Sequence, residues 1–219
     1  MAYDDLRQGM ERFGALEDGT WAAIAALVSA QTVARGHHLL RAGARASDAF
    51  FVRDGLVREY YVDQRGHEAT RRFCLTGEFS GSLADLLSTG PAAVSIEALA
   101  PTRLCRLSWA QLDLLSESRP DLMRLLRRIA EGLYLRKAAR EFEMLTLPAT
   151  ARYRRFVAEY PTLGARLPRH LIASYLGITP VHLSRIAGEK SRRPPAEPRK
   201  RTQSARSTAA ASPLPAPRR

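Results

Sequence analysis

The sequence predicts an α+β protein: a jelly-roll-like antiparallel β-roll, a long helix, a C-terminal helix-turn-helix and a disordered basic tail. Three observations predict this order. Short apolar runs separated by Gly, Asp and Pro fill residues 37–107, helical periodicity resumes after residue 108, and apolar residues become rare beyond residue 190. A chain of 219 residues with 45% hydrophobic and 26% charged content can bury more than one core.

Residues 4–31 predict one or two short amphipathic helices with a break at residues 14–19. The β-roll is predicted for residues 37–107 because runs such as AFFVRDG and LVREYYV recur at intervals of about 8–12 residues. Gly66, in VDQRGHE, can supply the positive φ of a hairpin turn. The segment 80–90, SGSLADLLSTG, predicts a short helix inside this β region.

A long helix is predicted after the roll. Ser108 is a candidate N-cap for a first helix, and Pro120 fits the first turn of a longer one that extends to about Leu145. Apolar residues in a 4-3-4 spacing begin a coiled-coil seam at Leu122, Leu126, Ile129 and Leu133. The seam degrades at Arg136 and Arg140. From these residues alone the helix either packs on its own domain or forms a dimer.

Residues 169–188 predict a helix-turn-helix. The first helix has a small residue, Ala173, facing its partner, and Gly177 can adopt the left-handed conformation of the turn. Thr179 is a candidate N-cap and Pro180 fits the first position of the second helix. The apolar positions of its small core are Ile172, Leu176, Ile178, Leu183 and Ile186.

The second helix of such a motif places its outward N-terminal residues against base edges. Those residues are Pro180, Val181, Ser184 and Arg185, with His182 beside them. Arg185 is the candidate for a bidentate contact to guanine, and Val181 for a contact to a thymine methyl group. Contacts to the DNA backbone are predicted for Arg169, His170, Thr179, Lys190 and Arg192. A solvated surface charge is the alternative for each basic residue.

Composition limits the classes of protein to which this chain can belong. The net charge is +12, and residues 187–219 contribute nine basic and two acidic residues, which favours a polyanionic partner. Cys74 and Cys105 are expected to be buried free thiols. No leader-like segment opens the chain and no apolar run approaches about 20 residues, so we expect a cytoplasmic protein that does not enter membranes. No catalytic or metal-ligand constellation stands out, which predicts neither an enzyme nor a metal or cofactor site.

Four stretches carry a family resemblance: HHLLRAGARASDAFFVRDGLVREYY, GEFSGSLADLL, ALAPTRLCRLS and IASYLGITPVHLSRI. Over about residues 20–187 the chain resembles the Crp/Fnr family of bacterial transcription regulators. The resemblance implies a cyclic-nucleotide-binding-like sensor roll at residues 1–118, a dimerisation helix at 119–145 and a winged helix-turn-helix domain at 146–188. The tail predicted from composition follows at 189–219. The resemblance also implies a homodimer on a palindromic operator in double-stranded DNA, with RNA polymerase as a further candidate partner.

The resemblance places a candidate ligand pocket at Phe73, Gly77, Glu78, Ser82, Leu83, Ala92 and Ala93. Nucleotide-binding members of the family hold the cyclic phosphate with an Arg-Ser pair, whose counterpart here is Ala92-Ala93. Because no Arg or Lys lies between Arg72 and Arg103, we expect no cyclic nucleotide to bind in the usual way. Glu78 is then expected to cap the short helix.

Oxygen-sensing relatives hold an iron–sulfur cluster through several cysteines, which two distant thiols cannot supply. Haem bound through His37 or His38 stays open as an alternative, although adjacent histidines that begin a strand are usually surface residues.

The C-terminus departs from the family as well. Gly188 and the Pro194-Pro195 pair predict a short recognition helix, and no strand pattern of a wing follows it. We therefore expect a homodimeric, sequence-specific transcription regulator. The alternatives are a ligand-binding β-roll sensor with a degenerate DNA-binding head, and a structural dimer with a basic tail.

Overall fold

The computed structural model describes residues 3–88 and 90–192, with side chains described as far as Gly188. The predicted disordered tail therefore lies outside the described residues, except for residues 189–192, which continue a helix. Within the described part of the chain, no helix is long and apolar enough to cross a membrane.

The elements follow the predicted order. Two helices, α1 (Asp4–Glu11) and α2 (Asp18–Ala26), precede the strands β1 (Ser29–Val33), β2 (His38–Leu40), β3 (Asp48–Asp54), β4 (Leu56–Val62), β5 (Glu68–Leu75), β6 (Phe79–Ser80), β7 (Val94–Ala98) and β8 (Thr102–Ser108). The short helix α3 (Leu83–Leu87) connects β6 to β7. The remaining helices are α4 (Trp109–Glu117), α5 (Pro120–Thr146), α6 (Ala149–Glu159), α7 (Leu163–Arg166), α8 (Arg169–Leu176) and α9 (Pro180–Arg192).

The roll consists of two four-stranded antiparallel sheets, in the orders β1-β8-β3-β6 and β2-β7-β4-β5. The core between them contains Phe50, Val52, Val57, Cys74, Val94, Ile96 and Leu104. Gly66 takes the expected positive φ of 81° in the β4–β5 hairpin. The carboxylate of Asp63 closes this turn by accepting the amide hydrogens of Arg65 and His67. Cys74 and Cys105 are buried and free, as predicted.

One local prediction was wrong, and another was confirmed in its position only. Residues 29–31 are strand and not helix, because Ser29–Val33 pairs with β8 along the edge of the first sheet. Tertiary pairing thus overrides the helical spacing of the preceding residues. Ser108 precedes α4, but its side chain makes no capping hydrogen bond.

The N-terminal helices, α4 and the first turns of α5 pack together against the first sheet. Leu122 is fully buried in this core, and Leu126 and Ile129 pack against it. Leu133 lines a neighbouring cleft. The first three residues of the predicted seam therefore pack within their own chain, because this apolar side of α5 helps to close the core of the helical layer.

Helices α6 to α9 form a head that packs on the roll. Buried aromatic residues join the two: Phe73 from β5 meets Phe156, Tyr160 and Tyr175 from the head, with ring centroids 5.6–6.4 Å apart. Aromatic pairs at such distances contribute about 0.5–1.5 kcal/mol each beyond the area they bury. Helix α8 consequently lies directly on β5, the edge strand of the second sheet.

Candidate functional site

Helices α8 and α9 are joined by a three-residue turn. Gly177 ends α8 at φ 64° and ψ 40°, the left-handed conformation that glycine adopts without steric penalty. The amide of Ile178 donates to the carbonyl of Ala173 at 3.0 Å, which closes the end of α8. The hydroxyl of Thr179 accepts the amide hydrogen of His182 at 3.2 Å, so Thr179 caps α9. The predicted turn and N-cap are both present.

Two arginines from neighbouring helices, Arg140 of α5 and Arg152 of α6, bind the end of α8. The guanidinium of Arg152 donates to the carbonyls of Leu176, at 3.1 Å, and Leu147, at 2.7 Å. Arg140 donates to the carbonyl of Tyr175, and its guanidinium lies 4.1 Å from the centroid of that ring. The bonds to Tyr175 and Leu176 satisfy carbonyls that the last turn of α8 leaves free. They fix the end of α8 to both α5 and α6.

The predicted base-reading residues share one exposed surface at the start of α9. Pro180, Val181, His182, Ser184 and Arg185 are all exposed, whereas Leu183 and Ile186 face the core. Arg169, at the start of α8, donates to the hydroxyl of Ser184 at 3.0 Å. His170 and Thr179 are also exposed. The first turns of both helices thus contribute to the same surface.

The prediction that the recognition helix ends near Gly188 was wrong. Helix α9 continues through Gly188 to Arg192, since an internal glycine costs only about 1 kcal/mol relative to alanine. Lys190 and Arg192 belong to its last turns, and their side chains lie outside the described part. Pro194 also lies outside it.

The head is hydrogen bonded to the roll through Ser174 of α8. Its hydroxyl donates to the carbonyl of Glu68 at 2.7 Å and accepts the amide hydrogen of Thr70 at 2.8 Å. These groups belong to the outer edge of β5, which has no neighbouring strand on that side in the described sheet. Burial, followed by the carboxylate of Glu159, raises the pKa of Tyr175 to about 12, so the phenol beside this contact stays neutral.

The segment from Gly81 to Val94, here called the cassette, contains Ala92 and Ala93, where the resemblance to the Crp/Fnr family predicts the phosphate-binding pair. Its amides are occupied by carboxylates of the same chain. Asp85 accepts the amide hydrogens of Ala93 and Val94, each at 3.2 Å. Glu59, only 1% exposed, accepts the amide hydrogen of Gly81 at 3.0 Å. Both ends of the cassette therefore already hold an anion.

The residues around Glu59 were not predicted from the sequence. Its Oε1 atom also accepts the hydroxyl of Ser80 at 2.9 Å, and its Oε2 atom lies 3.7 Å from the guanidinium of Arg71. Arg71 donates to the hydroxyl of Ser82 at 3.4 Å. A cation thus reaches the cassette from β5, although none occurs within it. The sequence shows Glu59 and Arg71 in two neighbouring predicted strands. A strand pattern alone does not show whether such side chains point into the roll.

The predicted pocket residues do not converge on one cavity. Phe73 is buried between roll and head, and Ala92 exchanges backbone hydrogen bonds with the 43–44 turn. Gly77, Glu78 and Leu83 line a separate cleft beside α1 and α5. The expected cap at Glu78 was wrong, because its carboxylate accepts the amide hydrogen of Leu75 at 3.0 Å and does not reach α3. Glu78 instead closes the turn between β5 and β6.

The two adjacent histidines considered as haem ligands lie in different environments. His37 is exposed, whereas the ring of His38 shares a 3.0 Å hydrogen bond with the hydroxyl of Tyr60. Among the described residues, no group of three or more His, Cys, Asp or Glu side chains is arranged to hold a metal ion.

Comparison with known proteins agrees with this architecture. Residues 30–119 match the cyclic nucleotide-binding domain family. The transcriptional activator protein Anr of Pseudomonas aeruginosa is 30% identical over 165 residues, 69% of this chain and 66% of that protein. The fumarate nitrate reduction regulatory protein of Klebsiella oxytoca is 28% identical over 170 residues, 71% of this chain and 66% of that protein. The chain thus matches just under two thirds of each relative's length.

The chain also superposes on a solved structure of a regulator. The c-di-GMP responsive global regulator CLP of Xanthomonas campestris superposes with a TM-score of 0.65 at 19% identity, covering 80% of this chain and 92% of that one. At this identity the likeness concerns the fold alone.

Proposed function

The chain belongs to the Crp/Fnr family of transcription regulators, and we propose on this premise that it is a sequence-specific DNA-binding regulator that acts as a homodimer and not as an enzyme. The observation that carries the proposal is the exposed surface at the start of α9, held by the Gly177 turn and the Thr179 cap. A recognition helix in the major groove presents such a surface to base edges.

Within this proposal the contacts divide into two groups. The base-reading group is Pro180, Val181, His182, Ser184 and Arg185, of which Arg185 gives the largest discrimination. The positioning group is Arg169, His170, Thr179, Lys190 and Arg192. The proposed domains are the sensor roll at 1–118, the dimerisation helix at 119–145, the helix-turn-helix domain at 146–188 and the tail at 189–219, and α9 extends to Arg192.

The second copy is proposed to dock on the outer side of α5. Met123, Tyr134 and Leu145 follow one another at eleven-residue intervals, about three turns, so they line up along the helix. They are 52%, 71% and 77% exposed, and Leu135 and Phe142 beside them are 67% and 59% exposed. An apolar stripe of this size on a charged helix is typical of an interface. A two-fold axis along α5 would give two heads and a palindromic operator.

Control by a cyclic nucleotide is not part of the proposal. A bound phosphate would have to displace Asp85 or Glu59 from the cassette amides, or lie beside their charges. Like charges in a poorly solvated site repel each other, and an unpaired buried charge is costly. Arg71 does not change this balance, because its guanidinium already faces Glu59.

The proposal is tested by selecting genome fragments with the purified full-length chain and with a chain ending after Arg192, at two salt concentrations. Both forms should enrich the same palindrome, and the tail should change only the salt-sensitive affinity. The proposal fails if neither form enriches a palindrome. It also fails if all binding is lost with the tail, because the tail and not α9 would then hold the DNA.

A further inference from the structure

The hydroxyl of Ser184 makes two hydrogen bonds within the exposed surface at the start of α9. It donates to the carbonyl of Pro180, one turn earlier in the same helix, at 3.0 Å. It accepts a hydrogen bond from the guanidinium of Arg169, at the start of α8, also at 3.0 Å. The two directions are unambiguous, because a carbonyl oxygen can only accept and a guanidinium can only donate. The single proton of this hydroxyl is therefore already used.

One acceptor position on Ser184 stays open. A hydroxyl has one proton and two lone pairs, of which Pro180 takes the proton and Arg169 takes one lone pair. Rotation of the hydroxyl would turn the proton towards the guanidinium or a lone pair towards the carbonyl oxygen, and either contact is repulsive. Because Ser184 is exposed, the second lone pair faces the solvent that a DNA duplex would replace. Ser184 can thus accept a hydrogen bond from a base, but it cannot donate one without losing its bond to Pro180.

Val181 is the apolar neighbour of Ser184 on this surface. It is 63% exposed and precedes Ser184 by three residues. Side chains at this spacing lie next to each other on a helix, with about 5–6 Å between their Cβ atoms. The isopropyl group of Val181 has no polar atom, so its favourable contact in the major groove is with the methyl group of thymine. The two residues together present an apolar group beside a hydrogen-bond acceptor.

These two properties match one kind of base pair. In the major groove, adenine and cytosine present an amino group that donates, whereas guanine and thymine present acceptor oxygens, which would repel the oxygen of Ser184. A cytosine–guanine pair offers the amino group without a methyl group. An adenine–thymine pair offers both, with the amino group on one base and the methyl group on the other.

We infer, on the basis of the proposed DNA binding, that Val181 and Ser184 together read a single adenine–thymine pair. Ser184 accepts a hydrogen bond from the adenine amino group, and Val181 packs on the thymine methyl group. Arg185 reads a different pair, since its donors need the acceptor atoms of guanine. The bond from Arg169 to Ser184 is compatible with a phosphate contact, because a guanidinium has further donors.

Base analogues in the operator selected with the full chain test the two contacts separately. Uracil in place of thymine removes the methyl group, and purine in place of adenine removes the amino group. Each replacement is made in turn along the half-site, and fluorescence anisotropy gives the affinity at fixed salt. At one base pair, uracil should weaken binding about fourfold, as expected for one buried carbon group. Purine at the same pair should weaken it about two- to tenfold, as expected for one hydrogen bond.

Variants of the chain assign each effect to a residue. Val181→Ala should remove the uracil effect and keep the purine effect, whereas Ser184→Ala should do the reverse. Arg185→Ala should keep both effects at this pair while it loses discrimination at its guanine. Thr162→Ala removes another exposed hydroxyl of the head and should change neither. All chains are compared on the same duplexes, so any change that an analogue causes in the duplex itself cancels.

The inference is overturned if the two analogue effects fall on different base pairs, or if no analogue weakens binding. It is also overturned if Ser184→Ala keeps the purine effect, or if Val181→Ala keeps the uracil effect. Each of these results is obtained with a selected operator, so the proposed DNA binding would stand. If the chain selects no operator at all, the proposed function and this inference fail together.

Discussion

The ring of Tyr175 in α8 lies 5.6 Å from the ring of Phe73 in β5, at an angle of 36°, so the helix before the recognition helix rests on the sensor roll itself. Beside this pair, Ser174 bonds to two backbone groups of the same strand. The orientation of the head is therefore determined by an edge strand of the roll as well as by α5. Strand β5 is thus in direct contact with the head.

Ser174→Ala should destabilise the chain by about 1–3 kcal/mol, because the amide of Thr70 and the carbonyl of Glu68 lose a partner at a contact that is half-buried. The midpoint of chemical denaturation measures this. Ser184→Ala is the matched control, since that exposed hydroxyl should change stability by no more than about 0.5 kcal/mol. Equal midpoints for the two variants would contradict the proposed role of the contact.

Charged substitutions on the outer side of α5 should separate the proposed dimer. Leu135→Glu combined with Phe142→Glu should convert a dimer to a folded monomer, because both residues are more than half exposed and only a partner copy would desolvate the new charges. Sedimentation velocity gives the mass, and circular dichroism checks the fold. Leu114→Glu is the control, as this leucine of α4 is also 67% exposed. A variant that remains dimeric would exclude this face.

Local features of this chain were predictable from sequence because each depends on a few neighbouring residues. Gly66 and Gly177 both take positive φ, and Pro120 begins α5. The side of α5 that we propose for the second copy was not predictable in the same way. Its seam begins at Leu122 with the spacing of a dimer helix, but an apolar spacing is the same whichever surface it packs on.

Contacts between distant segments were missed for a related reason. Glu59 enters the cassette from a strand 22 residues before Gly81, and Ser174 meets a carbonyl 106 residues away. A single sequence gives the strand pattern of β4 and β5 but not which polar side chains turn inward. The absence of basic residues inside the cassette suggested a site without cations, whereas the fold brings Arg71 to it.

The cassette gives a second stability test. Asp85→Ala should destabilise the chain by about 1–3 kcal/mol, since the amides of Ala93 and Val94 lose their acceptor. Asp113→Ala removes an exposed carboxylate from α4 and serves as the control. Cyclic AMP should leave the thermal midpoint of the unmodified chain unchanged. A clear rise with cyclic AMP would contradict the proposal that the cassette is closed from within.

Acid stability should depend on Asp121, at the start of α5. Burial opposes its ionisation, but hydrogen bonds from the amide of Glu17 and the hydroxyl of Thr20 outweigh burial and lower the pKa of Asp121 below its ordinary value of 3.8. Its contribution is therefore complete above the unfolded pKa and is lost as the pH falls through the folded one.

Asp121→Asn should consequently lower stability at about pH 6 and flatten the further loss between about pH 4 and pH 2. Denaturation midpoints across this range measure both effects. Asp54→Asn is the control, because its carboxylate is 63% exposed. An unchanged acid profile in Asp121→Asn would show that other carboxylates carry the dependence.

The recognition surface predicts two different defects in DNA binding. Arg185→Ala should lose about 1–3 kcal/mol of discrimination at one base pair, because an exposed arginine in the first turns of α9 would contact a guanine edge. Arg169→Ala, at the start of α8, should weaken binding to all duplexes alike. It should also reduce the slope of log affinity against log salt by about one, as expected for a phosphate contact.

Titrations of the selected palindrome and a scrambled duplex, each at several salt concentrations, separate these effects. The ratio of the two affinities should fall only for Arg185→Ala, and the salt slope should change most clearly for Arg169→Ala. If Arg185→Ala keeps the full ratio, α9 does not read the sequence. A roll that binds a ligand, with a degenerate head, would then be the better description of the chain.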